Sequence, residues 1–490
     1  MTAQFELDTL KIRLAAPELA ALDLRVRVQR ALRQLILDGV LARGLRLPAT
    51  RALAQSLGVS RDTVEMAYAQ LRLDGYIQRQ TGSGSFVSPT IGASLLGKPA
   101  AALPPLSAQP VALSARGAQI LASGGVADQQ SVKAFATGLP ETRAFPLDVW
   151  ERLRRQAASS EHHVLLHGDP QGAAPLRQAI ADYVNLERGA RATADQVLVL
   201  SSTRQALYLC AQVLADAHGP ILMEDPGYFG ARKAFEMAQL QVVPVPVDAQ
   251  GLSIEHLRAD RSGANTIYVT PSHQYPTGVT LALERRFALT AWAAERQGWI
   301  IEDDYDSQFH YAGLPTACVQ GLDMQQRTIY LGTFAKSLYP GLRIGYMVLP
   351  PALVKPMTYA RSILDGHTPQ LDQLTLARFI ADGHFAAHVR AMRKVYAVRR
   401  DAMAQAVQRH LPHVVTAQLP PGGLQLPCLL HEGRDELDTI RQAARAGLVL
   451  PGLSRLYARP PARGGWLLGF AALSPHEIES GIVRLARALG

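Results

Sequence analysis

Five short apolar runs constrain this chain more than any other feature. They are Val197-Leu198-Val199-Leu200, Ile221-Leu222-Met223, Thr266-Ile267-Tyr268-Val269, Trp299-Ile300-Ile301 and Thr328-Ile329-Tyr330-Leu331. A strand that is apolar at every position, rather than at alternate ones, has both faces buried. Strands of that kind separated by amphipathic helices build a parallel sheet with helices on both sides. An α/β body is therefore expected from about Phe135 onward. Past about Val395 the pattern turns to helix and short strand, which predicts a smaller α+β subdomain.

At 490 residues the chain is too long for one core. Its punctuation divides it into three expected parts: 1–88, a linker over 89–130, and 131–490. The linker is rich in Ala, Pro, Ser and Gly, as in Gly97-Lys98-Pro99-Ala100-Ala101-Ala102-Leu103-Pro104-Pro105. That composition predicts a flexible segment partly extended by its prolines. No run is long and apolar enough to span a membrane, and the N-terminus lacks the layout of a signal peptide. Cys210, Cys318 and Cys428 are far apart, without metal-ligand spacing, and read as core thiols of a cytoplasmic protein.

The first part is dense in helix signals. A helix from about Leu22 stops at Gly39. Thr50 is expected to cap a short helix stopped by Gly58, and Ser60 to cap the next, stopped by Gly75. Tyr76 to Val87 alternates around a Gly-Ser-Gly tip and predicts a β-hairpin. Three helices and a hairpin in this order make a winged helix-turn-helix. Residues 1–90 hold twelve Lys/Arg against eight Asp/Glu, a net of +4. A basic excess of this size permits nucleic-acid binding. Arg51, Ser60, Arg61 and Thr63 near the recognition helix, with Arg79, Ser83 and Gly84 in the wing, are the candidate DNA contacts.

The last part carries a different chemistry. Lys336 lies in Thr333-Phe334-Ala335-Lys336-Ser337, with Arg343 seven residues on. Consecutive acids, Glu302-Asp303-Asp304-Tyr305-Asp306, follow an apolar strand on the side where α/β sheets bind ligands. Together these supply what pyridoxal 5'-phosphate (PLP) requires. Lys336 is the Schiff-base lysine. Asp303 suits the pyridinium proton, with Asp304 the competing assignment, and Tyr305 suits the ring hydroxyl. Arg343, Ser202, Thr203 and Arg204 suit the phosphate. Tyr228 suits the ring face, and Tyr275 lies in a rigid Pro-Thr-Gly loop beside it. His273 in the same loop reads equally as a ligand-side or a plain loop histidine. A metal or a helix cap is the other reading of the acidic run; no metal is expected.

Residues 26–87 resemble the GntR-type winged helix, through Arg46-Leu47-Pro48, Leu57-Gly58-Val59-Ser60-Arg61-Asp62-Thr63-Val64, Asp74-Gly75-Tyr76 and Gly82-Ser83-Gly84. Residues 135–490 resemble a fold-type I aminotransferase. The whole chain is similar to the MocR subfamily, bacterial regulators that fuse the two. The resemblance implies a homodimer, PLP on Lys336, DNA as partner, and transcriptional control responding to PLP, a small amine or an amino acid. Three departures from the enzymes stand out. Tyr275 replaces the asparagine of their Asn-Pro-Thr-Gly, Ser202 replaces a phosphate-loop glycine, and Leu467 stands where many carry the arginine for a substrate carboxylate. Arg455 and Arg232 are the candidate substitutes for that arginine. A regulator with at most residual transaminase chemistry is thus expected. The alternatives are an aminotransferase with a regulatory DNA-binding domain, and a dimerisation scaffold without cofactor.

Overall fold

The computed structural model describes residues 5, 7–80, 83–89, 112–126, 132–160, 162–312 and 316–490. The chain divides into two compact units, one ending at Ala112 and one beginning at Leu113.

In the first unit the helices are α1 (Leu7–Leu14), α2 (Leu24–Leu37), α3 (Thr50–Leu57) and α4 (Arg61–Leu73). Their apolar faces share one core with Leu32, Leu53, Val64, Leu71 and Ile77. Gly58 ends α3 in the left-handed conformation at φ 67°, which permits the tight turn into α4. Ser60 caps α4 by accepting from the Thr63 N–H at 3.1 Å. Thr50, however, is the first residue of its helix rather than its cap. Ala49 holds the cap position in an extended conformation, and its methyl side chain has no acceptor to offer. The wing pairs β2 (Ile77–Gln80) with β3 (Gly84–Val87), and its tip at 81–82 lies outside the described residues. A third strand, β1 (Arg46–Leu47), joins β3; two residues are too few to carry a periodic signal.

Of the expected linker, 90–111 and 127–130 lie outside the described residues. The rest is not featureless. Helix α5 (Ala115–Ala122) opens with Ser114 accepting from the Gly117 N–H at 3.1 Å. A serine cap before an alanine-containing stretch outweighs the general loop composition.

The second unit is built on eight strands: β4 (Val197–Leu200), β5 (Pro220–Asp225), β6 (Gln241–Asp248), β7 (Gly251–Leu252), β8 (Thr266–Val269), β9 (Trp299–Asp304), β10 (Thr328–Thr333) and β11 (Gly345–Val348). Their order is β4-β11-β10-β9-β8-β5-β6-β7. The five expected strands are present, and β10, β9, β8, β5 and β6 run parallel. The sheet is nonetheless mixed, because β11 runs antiparallel to both β10 and β4. Residues 334–344 return the chain to the sheet without a long helix, so β11 enters reversed. β6 was hidden by Pro244 and Pro246, which a place near the sheet edge tolerates.

The smaller subdomain is a three-stranded antiparallel sheet, β12 (Val415–Ala417), β13 (Gln425–Leu430) and β14 (Gly465–Gly469). The helix His384–His410 contributes Phe385 and Val389 to the core below the large sheet, and Met392, Tyr396 and Met403 to the small subdomain's core. One rod thus belongs to both.

Candidate functional sites

Lys336 follows the C-terminal end of β10. Its ammonium donates to the Gly138 carbonyl at 2.7 Å. Gly138 has φ 80°, and a Cβ there would come 2.6 Å from the Lys336 Nζ. Only glycine fits. The sequence carried no sign of this pairing across 198 residues.

Successive strand residues point to opposite faces, and the end of β9 uses this. Asp304 faces Arg188, whose Nε donates at 2.7 Å, and the Tyr330 hydroxyl at 2.6 Å. Burial pushes its carboxyl up, but Arg188, with hydrogen bonds from Ser307 and Tyr330, holds it below the ordinary value. Asp303 faces the other way. The Tyr268 hydroxyl donates to its Oδ2 at 2.7 Å, and its Oδ1 is buried with no partner. Burial raises Asp303 to about 7; Asp304 and Asp306 add to that, while Tyr268 and Lys336 oppose it. One acid is locked in an ion pair, and the other keeps a free acceptor.

Three tyrosines gather beside it. Tyr275 meets Tyr228 edge-on at 5.6 Å and Tyr305 at 6.0 Å between ring centroids. The loops carrying Tyr228 and Tyr275 are clamped together by Gln274. Its amide nitrogen donates to the carbonyls of Pro226 at 2.7 Å and Tyr275 at 2.8 Å. Beneath the clamp Glu224 accepts from the Thr270 N–H and hydroxyl at 2.9 and 2.7 Å. Burial, against those bonds, lifts Glu224 to about 7. Neither Glu224 nor Gln274 was singled out in the sequence, where each reads as an ordinary polar residue beside a turn.

Ser202 caps the helix Thr203–Leu214, its hydroxyl accepting from the Gln205 N–H at 3.2 Å. Thr203 and Arg204 open that helix. Arg343 is exposed, in the left-handed conformation at φ 54°. His273 is a buried loop residue whose Nδ1 pairs with Asp306 at 2.7 Å. Leu467 is buried among Leu453, Leu456, Phe229, Tyr275 and Tyr457. Arg232 is committed to the carbonyls of Tyr457 and Leu456 at 3.1 and 3.2 Å. Arg455 is exposed, and its charge acts on the Tyr275 hydroxyl, opposing the rise that burial causes there.

The segment after Gly138 is anchored separately. Glu141 is buried and accepts from Arg399 at 2.8 Å and from two nitrogens of Arg143 at 2.8 and 2.7 Å. Burial opposes ionisation, yet these two guanidiniums hold Glu141 down to about 2.

In the first unit Arg51, Ser60, Arg61, Arg79, Ser83 and Gly84 are exposed, and Thr63 is half-buried. Ser60 and Thr63 also bond each other through their hydroxyls at 2.7 Å, so both serve the α4 cap. Arg46 was not expected. It is exposed on β1 and its guanidinium lies against Gly84 in the wing.

Two families match this chain: bacterial regulatory proteins of the gntR family over residues 24–87, and aminotransferase class I and II over 135–426. The chain is 36% identical to the probable rhizopine catabolism regulatory protein MocR of Rhizobium meliloti, over 93% of this chain and 92% of that protein. It is 31% identical to the pyridoxine biosynthesis transcriptional regulator PdxR of Corynebacterium glutamicum, over 90% of each. Among solved structures it is similar to the α-aminoadipate aminotransferase LysN of Thermus thermophilus, complexed with N-(5'-phosphopyridoxyl)-L-leucine. There the TM-score is 0.69 and identity 27%, over 75% of this chain and 96% of that one. The chain belongs to the MocR subfamily of GntR-type transcriptional regulators, a winged helix joined to a fold-type I aminotransferase domain.

Proposed function

We propose that this regulator binds PLP in its second unit and reports that state, or displacement of Lys336 by an amine or amino acid, to DNA held by its first. The observation that carries the reading is the free Oδ1 of Asp303. A buried acceptor without a donor is costly unless a ligand supplies one, and a protonated ring nitrogen is such a donor. When bound, PLP supplies an aldehyde that condenses with primary amines and a ring that draws electrons from the product.

The chain's residues then divide the work. Lys336 provides the amine. Asp303, oriented by the Tyr268 hydroxyl, would hold the proton on the ring nitrogen. Tyr305 and Tyr275 would serve the ring hydroxyl, Tyr228 would cover the ring, and Ser202, Thr203, Arg204 and Arg343 would take the phosphate. Thr63 and Ser60 hold the recognition helix start, while Arg61, Arg51, Arg79, Ser83 and Gly84 meet DNA.

Sensing rather than turnover is favoured because Leu467 fills its position with packed apolar contacts. An α-carboxylate there lacks the bidentate anchor that speeds a transaminase. Arg455, whose charge acts on the Tyr275 hydroxyl, is the cation we assign to that side. We further propose a homodimer acting in the cytoplasm, supported by exposed Leu165, Leu166 and Ile363 at 85, 70 and 86%.

The test is spectroscopic. Wild type with PLP should show the visible band of lysine-bound PLP, and Lys336→Ala should not. A gel shift with DNA from upstream of the protein's own gene should respond to PLP in wild type alone. Absence of the band, or ordinary transaminase rates of roughly 1–1000 per second, would overturn this reading.

A further inference from the structure

An open groove, lined by exposed as well as buried residues, lies between helices of the second unit. It has a volume of about 490 Å³, within the roughly 300–1,000 Å³ range of small-molecule sites. Two helices face each other across it, Ala174–Arg188 and His384–His410. Each presents one face by helical spacing. From the first come Asp182, Tyr183 and Glu187; from the second come Phe385, Val389, Arg390 and Arg393.

The charges are sorted. Both carboxylates lie on one helix and both guanidiniums on the other. None of the four forms an ion pair with another described residue. Asp182 accepts only a neutral amide, from Gln178 at 2.9 Å. Arg393 spends its Nε on the Gln308 carbonyl at 2.9 Å, which leaves its terminal nitrogens for a ligand. The floor between them is apolar: Phe385 is 1% and Val389 7% exposed. Beside it the Gln308 side chain is 7% exposed, and its Oε1 has no partner.

We propose that this groove binds a zwitterion with an apolar body, such as a free amino acid with an aromatic or branched side chain. The carboxylate meets Arg390 and Arg393, the ammonium meets Asp182 and Glu187, and the side chain lies on Phe385 and Val389. Arg393 also ties the groove to Gln308, five residues past Asp303, so the site borders the turn that leads out of β9.

Calorimetry of the full chain separates this site from the PLP cleft. The probes are L-phenylalanine, its amide, which is only cationic, and phenylpropionate, which is only anionic. L-phenylalanine should bind about tenfold more tightly than either, the value of one charge-assisted hydrogen bond. Arg390→Glu should weaken it by at least about tenfold, and Asp182→Lys should do the same from the opposite helix. Both positions are exposed, so folding is not at stake. Preloading with a PLP analogue that lacks the aldehyde should leave the affinity unchanged. The proposal fails if L-phenylalanine does not bind, if neither variant weakens it, or if the analogue displaces it.

Discussion

Replacing Asp303 with asparagine probes the central electrostatic feature of the second unit. The carboxyl is 4% exposed, one oxygen lacks a partner, and burial lifts it from 3.8 to about 7. Between those values the folded state keeps a proton that the unfolded chain has released. Stability therefore falls as pH rises from about 4 to about 7, and the loss is complete above that. A displacement of that size corresponds to at most about 4 kcal/mol. Asparagine has nearly the same shape, keeps an acceptor for the Tyr268 hydroxyl, and carries no charge. Without cofactor, Asp303→Asn should be more stable than wild type, and the gap should widen by about 2–3 kcal/mol between pH 5 and pH 8. Urea unfolding at the two pH values measures it. With PLP added the order should invert, because asparagine cannot balance a ring-nitrogen proton. A gap that is equal at both pH values, or a variant less stable at pH 8, would refute the claim that Asp303 is buried at a cost for the sake of a ligand.

Three further expectations follow from particular contacts. Glu141→Ala leaves Arg399 buried without its partner and should cost about 3–5 kcal/mol in denaturant unfolding; because Glu141 is held at about 2, wild type should lose this contribution only as pH falls from about 4.5 toward 2. Arg61→Ala should weaken DNA binding and lower the slope of log affinity against log salt by about 1, measured by fluorescence anisotropy. Its exposed pairing with Glu65 at 3.5 Å means thermal stability should barely change. Leu467→Arg, which would restore the enzymes' residue, should instead destabilise the fold by roughly 3 kcal/mol or more and lower the melting temperature, because Leu453, Leu456 and Tyr457 already fill the space.

Much of this was legible in the chain because the relevant signals are local. Continuous apolar runs marked five strands, glycine stops and the Ser60 cap marked α3 and α4, and the acids after Trp299-Ile300-Ile301 marked a ligand side. What escaped was set by partners distant in sequence. β11 became a strand, and a reversed one, only through pairing with β4 and β10. The prolines of β6 disguised it until its place near the sheet edge was known. Asp303 and Asp304 were competing assignments by order alone; Arg188 and Tyr330 on one face, and Tyr268 on the other, make them different groups. Gly138, Glu224 and Gln274 act through bonds to residues many tens of positions away, which no spacing rule reaches.

The Gly138 carbonyl carries a mechanical consequence. Lys336 holds it through a proton on its nitrogen, and condensation with a carbonyl compound leaves that nitrogen at most one proton. Three residues further on, Glu141 is bolted to Arg399 on the rod His384–His410, which is rooted in the small subdomain's core and in the core beneath the large sheet. Capture of a carbonyl ligand by Lys336 would therefore weaken or redirect one end of a short tether whose other end is fixed to that rod. Under the proposed function, chemical occupancy would become slack beside a rod shared by two cores.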